Sequence, residues 1–262
     1  MTGEAESEWA FLAKSYARIG APMRPTPPDV ASIARLIAGH DRHVLMLGAT
    51  PAYAEVGDTL TAVDNEPRMI SANWAGDNAR RRAVKADWLD MPFADGAFTA
   101  IIGDGSLNSV NENMPALLAE MRRVLAPGGV AAVRLFCTPE TPETLDAIEH
   151  GYFDHPDLNS TAARFRIAMA MAPHEPHHVV YLEKVLDAFN RFWPDRELLA
   201  EKTGWERFDI DRFDALRGTG HRVAFPPRAA FAEAARRHFA HIDFVESAGY
   251  PLAERCPVLV LR

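Results

Sequence analysis

Five short apolar runs lie between residues 44 and 136, and four of them end on a glycine or an acid. Val44-Leu45-Met46-Leu47 stops at Gly48, Leu60-Thr61-Ala62-Val63 at Asp64, and Ala83-Val84-Lys85-Ala86 at Asp87. Thr99-Ala100-Ile101-Ile102 stops at Gly103-Asp104, and Val130 to Phe136 is the fifth. Runs of this kind suit strands buried on both faces, whereas a sheet with one wet face alternates apolar and polar residues. Helical stretches separate them. Glu66 to Trp74 has Pro67 near its start; Asn113 to Ala126 carries Met114, Leu117, Leu118, Met121, Val124 and Leu125 on one face. Pro127-Gly128-Gly129 stops the second helix. Strands alternating with helices predict an α/β fold with a doubly wound, mostly parallel sheet covered on both faces. Ligands of such sheets bind outside the carboxyl ends of the strands. Gly48, Asp64, Asp87 and Asp104 all fall there.

The flanks read differently. Glu4 to Ile19 has helical spacing through Trp9, Leu12, Ala13, Tyr16 and Ile19. Pro22, Pro25, Pro27 and Pro28 interrupt it, and Pro28 can open a second helix, Asp29 to Ala38, stopped by Gly39. After Cys137 strand character lapses for about a hundred residues. Asn159 to Met171, Val179 to Phe192, Asp195 to Lys202 and Pro227 to Phe239 are expected to be helical. Strands return at Ile242-Asp243-Phe244-Val245 and Val258-Leu259-Val260-Leu261, with Gly249-Tyr250-Pro251 between, which predicts a closing hairpin at the sheet edge. The expected organisation is one domain over 1–262. Residues 1–39 supply N-terminal helices, 40–137 the ligand-binding core, 140–235 a helical insertion and 240–262 the hairpin.

Composition narrows the classes. The 262 residues are 48% hydrophobic and 24% charged, a globular balance. At roughly 150 residues per domain, this is one large domain or one with a substantial addition. A net charge of −8 repels phosphate backbones and anionic lipid, so nucleic acid and membrane are not expected as partners. Cys137 and Cys256 are too few for a disulfide framework. Glu4, Glu6 and Glu8 occupy the place where a secretory signal is basic, and no apolar run reaches the ~18 residues of a membrane span. A soluble, cytoplasmic protein is the expectation.

Asp64 is the most informative residue. It follows Gly48 at close to the spacing that places an acid on ribose hydroxyls in nucleotide-binding α/β folds. A carboxylate accepts two hydrogen bonds from a vicinal diol. The alternative is a solvated Asp64-Asn65 turn. The first loop, Gly48-Ala49-Thr50-Pro51-Ala52-Tyr53, has one of the three glycines that a dinucleotide fingerprint requires. This disfavours a pyrophosphate ligand. An adenosine carrying an amino-acid tail makes a smaller demand on the loop.

Taken as an ordered set, Val44-Leu45-Met46-Leu47-Gly48, Thr61-Ala62-Val63-Asp64, Ala86-Asp87-Trp88 and Leu125-Ala126-Pro127-Gly128-Gly129 resemble the motifs of class I S-adenosylmethionine-dependent methyltransferases. The resemblance covers about residues 40 to 137 and implies a seven-stranded, Rossmann-like sheet. It implies that Gly48, Ala49 and Thr50 pass under the methionine moiety, and that Asp64, with Asn65 beside it, holds the ribose. Asp87 would accept from the adenine amino group, with the Trp88 backbone N–H at the ring. Asp104 and Gly105 would sit near the methyl group, and Tyr16 on the N-terminal helix would close over the cofactor. Thr50 and Ala52 stand where the family usually has glycines. The Gly-Ala-Thr-Pro loop resembles that of a subgroup within the family.

Such a site asks little of its catalytic groups. A sulfonium methyl is already activated, so the acceptor must mainly be held close and in line. A base is needed only for a protonated acceptor. His155 and His221 are candidates on the acceptor side. Six of the ten histidines lie between His150 and His221. The cluster His174, Glu175, His177 and His178 reads as a polar loop rather than a zinc site, because Pro173 and Pro176 break the helical spacing. Arg80-Arg81-Arg82 with Lys85 reads as a solvated face before the third strand. The expected function is S-adenosylmethionine-dependent methyl transfer to a small molecule covered by the insertion. Two rivals are an inactive, methyltransferase-like binding or sensor protein and a nicotinamide-dependent oxidoreductase.

Overall fold

The computed structural model describes residues 19–151 and 158–262. The expected helix through Trp9 and Tyr16 lies outside the described residues, as does His155. Seven strands form one sheet: β1 (His43–Leu47), β2 (Thr59–Asp64), β3 (Arg81–Lys85), β4 (Phe98–Asp104), β5 (Leu125–Arg134), and two that close it, β8 (Ile242–Val245) and β9 (Val258–Leu261). Their order is β3-β2-β1-β4-β5-β9-β8, with β1 to β5 parallel and β9 and β8 antiparallel. This is the doubly wound sheet expected from the apolar runs, and the closing hairpin sits at its edge.

Each strand sends alternate side chains to opposite faces. Leu45, Leu47, Ile101, Val133 and Leu259 meet Leu117, Leu118 and Met121 of the helix Met114–Val124, and Phe231 and Ala235 of the helix Arg228–Ala235. Val44, Met46, Leu60, Ala62 and Val260 meet Ile33 and Ile37 on the other face. Ile33 belongs to the helix Pro27–Leu36, which starts at a capping box. The Thr26 hydroxyl accepts from Asp29 N–H, and the Asp29 carboxylate accepts from Thr26 N–H. Parallel strands usually need a crossover of a dozen or more residues containing a helix. Between β1 and β2 the chain makes only the 3-10 turn Pro51–Tyr53, and the helix Pro27–Leu36 covers the face that a crossover helix would cover.

Three sequence expectations are corrected. The stretch after Cys137 is not free of strands: β6 (Val179–Tyr181) and β7 (Arg222–Ala224) pair antiparallel in a second, two-stranded sheet. The helix expected over Val179 to Phe192 therefore starts at Leu182. Three residues are too few to show a period of two. Third, β3 begins at Arg81, so the basic run lies partly within the strand rather than before it. Arg80 donates to the carbonyls of Gly57 and Asp58, and Arg81 pairs with Glu55.

The helices Leu145–Gly151, Ser160–Met171 and Leu182–Phe192 and the turn Arg212–Leu216 build a third apolar cluster around Phe165, Phe189 and Phe213. Phe136 and Leu252 join it to the end of the sheet. The helix Arg228–Ala235 packs with the sheet rather than with this cluster.

Candidate functional site

The sheet order reverses its direction of winding between β1 and β4, and a cavity of about 540 Å³ opens at the carboxyl ends of these strands. It brings together residues widely separated in sequence: Gly48, Ala49 and Thr50 after β1, Asp64 and Asn65 after β2, Asp87 and Trp88 after β3, and Asp104 at the end of β4. Gly105 lines an adjoining cavity with Asp104. Tyr16 lies outside the described residues.

The first loop turns because Gly48 adopts φ +109°, a conformation that side chains oppose. Its N–H donates to the Val63 carbonyl at 2.8 Å, which ties the loop to the end of β2. Thr50 then leads into the 3-10 turn with Pro51 at its first position, where a missing N–H costs nothing. Without a second or third glycine, the loop closes in one tight turn.

Asp64 is 8% exposed. Its Oδ1 accepts from Glu66 N–H at 2.9 Å. Burial nonetheless pushes the carboxyl up to about 6, the Glu66 and Asn65 N–H groups opposing that rise. A desolvated carboxylate of this kind gains from a donor that reaches it. Asp87 is exposed, and its Oδ1 accepts from Leu89 N–H at 2.9 Å, which turns the chain after β3. The Trp88 side chain also takes part: its indole N–H donates to the Val63 carbonyl at 2.6 Å, and the ring lines the cavity close to Gly48. One carbonyl, that of Val63, thus anchors both the first loop and the tryptophan.

Asp104 is placed differently from the other acids. Arg134, fully buried, donates to it through Nε at 2.7 Å and Nη2 at 3.1 Å. Burial raises the Asp104 carboxyl, and the guanidinium opposes that rise. Arg134 also reaches the Pro22 carbonyl and the Tyr250 hydroxyl, and that hydroxyl donates to Asp29. Asp104 is therefore held rigidly at the cavity, with both oxygens engaged. Gly105 follows at φ +64°, where a Cβ would stand 2.4 Å from the Phe136 ring, so only glycine allows the two chains this approach.

Several cavity residues had no sequence signature. Asn111 adopts φ +54° and lines the cavity, while its Oδ1 is buried without a hydrogen-bond partner among the described residues. Met69, Asn73 and Ser109 line it, and Thr219, Gly220, His221 and Arg222 enter from the insertion. Asn108 explains how that segment is held. It is fully buried and donates to the carbonyls of Phe136 and Ala224, both at 2.7 Å, while Phe136 N–H donates back to its Oδ1. A buried amide satisfied on both sides fixes β7 against the ends of β4 and β5. Among the described residues no three or more His, Cys, Asp or Glu side chains are grouped to hold a metal ion; His174 ends one short 3-10 turn, His177 and His178 lie on the next, and Glu175 joins the two. No described helix is long and apolar enough to cross a membrane.

A family model described as a methyltransferase domain matches residues 48–133. The demethylmenaquinone methyltransferase of Mycobacterium sp. strain KMS is 32% identical over 206 residues, covering 74% of this chain and 81% of that protein. The demethylmenaquinone methyltransferase of Corynebacterium urealyticum is 33% identical over 162 residues, so the match spans 60% of this chain and less than two thirds, 63%, of that relative. Among solved structures, the N-methyltransferase NodS of Bradyrhizobium japonicum with S-adenosyl-l-homocysteine superposes with a TM-score of 0.52 over 98% of each chain, at 13% identity. A Rhodobacter sphaeroides structure named for zinc-dependent alcohol dehydrogenases superposes with a TM-score of 0.61 over 99% of this chain and 100% of that one, at 12% identity. At such identities the structures speak for the fold alone. The sequence relatives and the matched domain show that this chain belongs to the class I S-adenosylmethionine-dependent methyltransferase family.

Proposed function

We propose that this protein transfers a methyl group from S-adenosylmethionine to a small-molecule acceptor. The observation that carries the reading is the convergence of Gly48, Asp64, Asp87 and Asp104, from four strand ends, on one cavity at the point where the sheet order reverses. The donor set suits the nucleoside. Asp64, buried and held up to about 6, gains two hydrogen bonds from a ribose diol. Asp87 and the Trp88 ring border the place for the adenine, and Asn65 lies beside the ribose. Gly48, Ala49 and Thr50 pass under the methionine tail, and Asp104 and Gly105 border the transferred methyl. When bound, the cofactor supplies an activated sulfonium methyl. The chain supplies position: Arg134 and Phe136 fix the Asp104-Gly105 turn, and the insertion at 140–235 covers the acceptor and excludes water. An acceptor like the demethylmenaquinone in the names of the relatives is compatible with the apolar clusters nearby.

Calorimetric titration with S-adenosylmethionine, S-adenosylhomocysteine and NAD tests the reading. The first two are expected to bind. Binding of NAD alone would turn the assignment to the oxidoreductase rival. Binding of S-adenosylmethionine without turnover of any acceptor would favour the sensor.

A further inference from the structure

A second cavity of about 140 Å³ adjoins the first, and Thr50, Met69, Asp104, Ser109 and His221 border both. Beyond this junction its walls are mostly apolar, with Phe136, Phe165, Phe225, Leu182, Ala168 and Val223, and Arg164 is the charged residue among them. The three phenylalanines are packed edge to face, Phe136 with Phe165 at 4.7 Å and Phe165 with Phe225 at 5.7 Å. Apolar cavities of ~150 Å³ take up one benzene ring. An aromatic guest also finds the ring edges and faces it prefers.

Polar chemistry is concentrated at the junction. Asp104 is engaged by Arg134 through both oxygens, and the Ser109 hydroxyl donates to the Gly105 carbonyl at 3.0 Å. Arg164, which also lines the apolar cavity, is a cation with no acceptor to offer. Among the described residues at the junction, His221 has the one side chain suited to taking up a proton near neutral pH. Its backbone is fixed just before β7, where its N–H donates to Thr219 Oγ1 at 3.2 Å and its carbonyl accepts from Leu182 N–H at 2.9 Å. Among the described residues, the charged groups around it include Asp104 on β4, Arg164 on the helix Ser160–Met171, Glu183 on the helix Leu182–Phe192, Arg222 with its partner Glu112, and Asp64, Glu66 and Asp87 across the larger cavity.

We propose that the apolar cavity is the acceptor subsite, that it takes a single aromatic ring bearing a hydroxyl, and that His221 is the catalytic base for that hydroxyl. The inference rests on the methyl-transfer reading. In the step, the hydroxyl proton passes to an imidazole nitrogen of His221 as a carbon–oxygen bond forms to the methyl. The methyl–sulfur bond breaks and its electron pair stays on sulfur, giving an aryl methyl ether and S-adenosylhomocysteine.

Fluorine NMR with 4-fluorophenol, recorded on the whole protein with saturating S-adenosylhomocysteine, tests the subsite. The wild type is expected to bind the phenol, and proton NMR of the same sample to show shifted His221 ring resonances. Ala168→Leu, which fills the cavity, should abolish phenol binding while calorimetry shows S-adenosylhomocysteine binding unchanged; Val223→Trp serves if Ala168→Leu does not fold. Retained phenol binding in the filled variant overturns the subsite. At about pH 8.5, His221→Gln should lower kcat/KM by ~10²–10⁴-fold for a phenol that is still protonated, and should leave turnover of 4-nitrophenol, which is ionised at that pH, nearly intact. Equal losses for the two acceptors overturn the base. If the wild type does not bind S-adenosylhomocysteine, the methyl-transfer reading fails. If it binds that ligand but not the phenol, this inference alone fails.

Discussion

The two ends of the sheet carry cavities of similar size and opposite chemistry. At the carboxyl ends about 540 Å³ is bordered by Asp64, Asp87 and Asp104. At the amino ends about 440 Å³ is bordered by His43, Thr59, Arg80, Arg81 and Arg82. The arginines of the amino end are committed to structure. Arg80 holds the carbonyls of Gly57 and Asp58, and Arg81 holds those of Ala75 and Gly76 as well as Glu55. At the carboxyl end Asp64 is buried without a cationic partner among its hydrogen bonds and is displaced to about 6 as a result. Cavity volume alone does not separate the two ends. The difference lies in Asp64, whose charge no cation among the described residues offsets even though Asp104 at the same end is held by Arg134, and perturbed acids cluster where a ligand is expected.

The comparison can be broken at either end. The largest effect is expected at Arg134. Arg134→Ala leaves the Asp104 carboxylate buried and uncompensated, which costs about 3–5 kcal/mol in urea unfolding. A loss under about 1 kcal/mol would show that Asp104 finds another partner or accepts a proton cheaply.

Asp64→Ala comes next. Removal of hydrogen bonds to a charged group costs about 1.5–3 kcal/mol, a fall in S-adenosylhomocysteine affinity of roughly 10- to 100-fold by calorimetry. Unchanged affinity would remove Asp64 from the site.

The pH dependence is smaller. The folded pKa of Asp64 lies above its ordinary value of 3.8, at about 6, so in the unliganded protein the stability it contributes is present at low pH and is lost as pH rises through about 6. A ligand diol favours the ionised form, so affinity should change in the opposite sense. It should fall about tenfold from pH 7 to pH 5, and Asp64→Asn should flatten the profile. An affinity that rises on acidification would contradict the diol assignment.

The smallest effect is expected at the amino end. Arg80→Ala removes two exposed hydrogen bonds and should cost about 1 kcal/mol or less of stability, leaving ligand affinity unchanged. A large loss of affinity there would dissolve the contrast between the two ends.

Much of the sheet was legible because its signals are local. Val44 to Leu47 alternates between two buried faces, so all four residues are apolar, and Gly48 ends the run because the chain must adopt φ +109° there. The hairpin at Ile242–Val245 and Val258–Leu261 carried the same signature. β6 and β7 did not, because three-residue strands leave no period and their pairing joins Val180 to Val223, distant positions within the insertion. Trp88 shows the limit within the site itself. Its place beside Asp87 was readable, but an indole directed at the Val63 carbonyl depends on how β2 and β3 lie together.

By itself the sequence determined the layered α/β fold, the strand ends at which Gly48, Asp64, Asp87 and Asp104 stand, and a net charge of −8. Strand burial and turn chemistry are written in neighbouring residues, and charge is a sum over all of them. Only the tertiary structure decided that Asp104 is locked to Arg134, that Asn108 ties Phe136 to Ala224, which lies 116 positions after Asn108, and that His221 stands at the mouth of a cavity walled by Phe136, Phe165 and Phe225. Those placements are set by packing between distant segments, where any of many polar or aromatic residues has the same local pattern and only the closed core selects one.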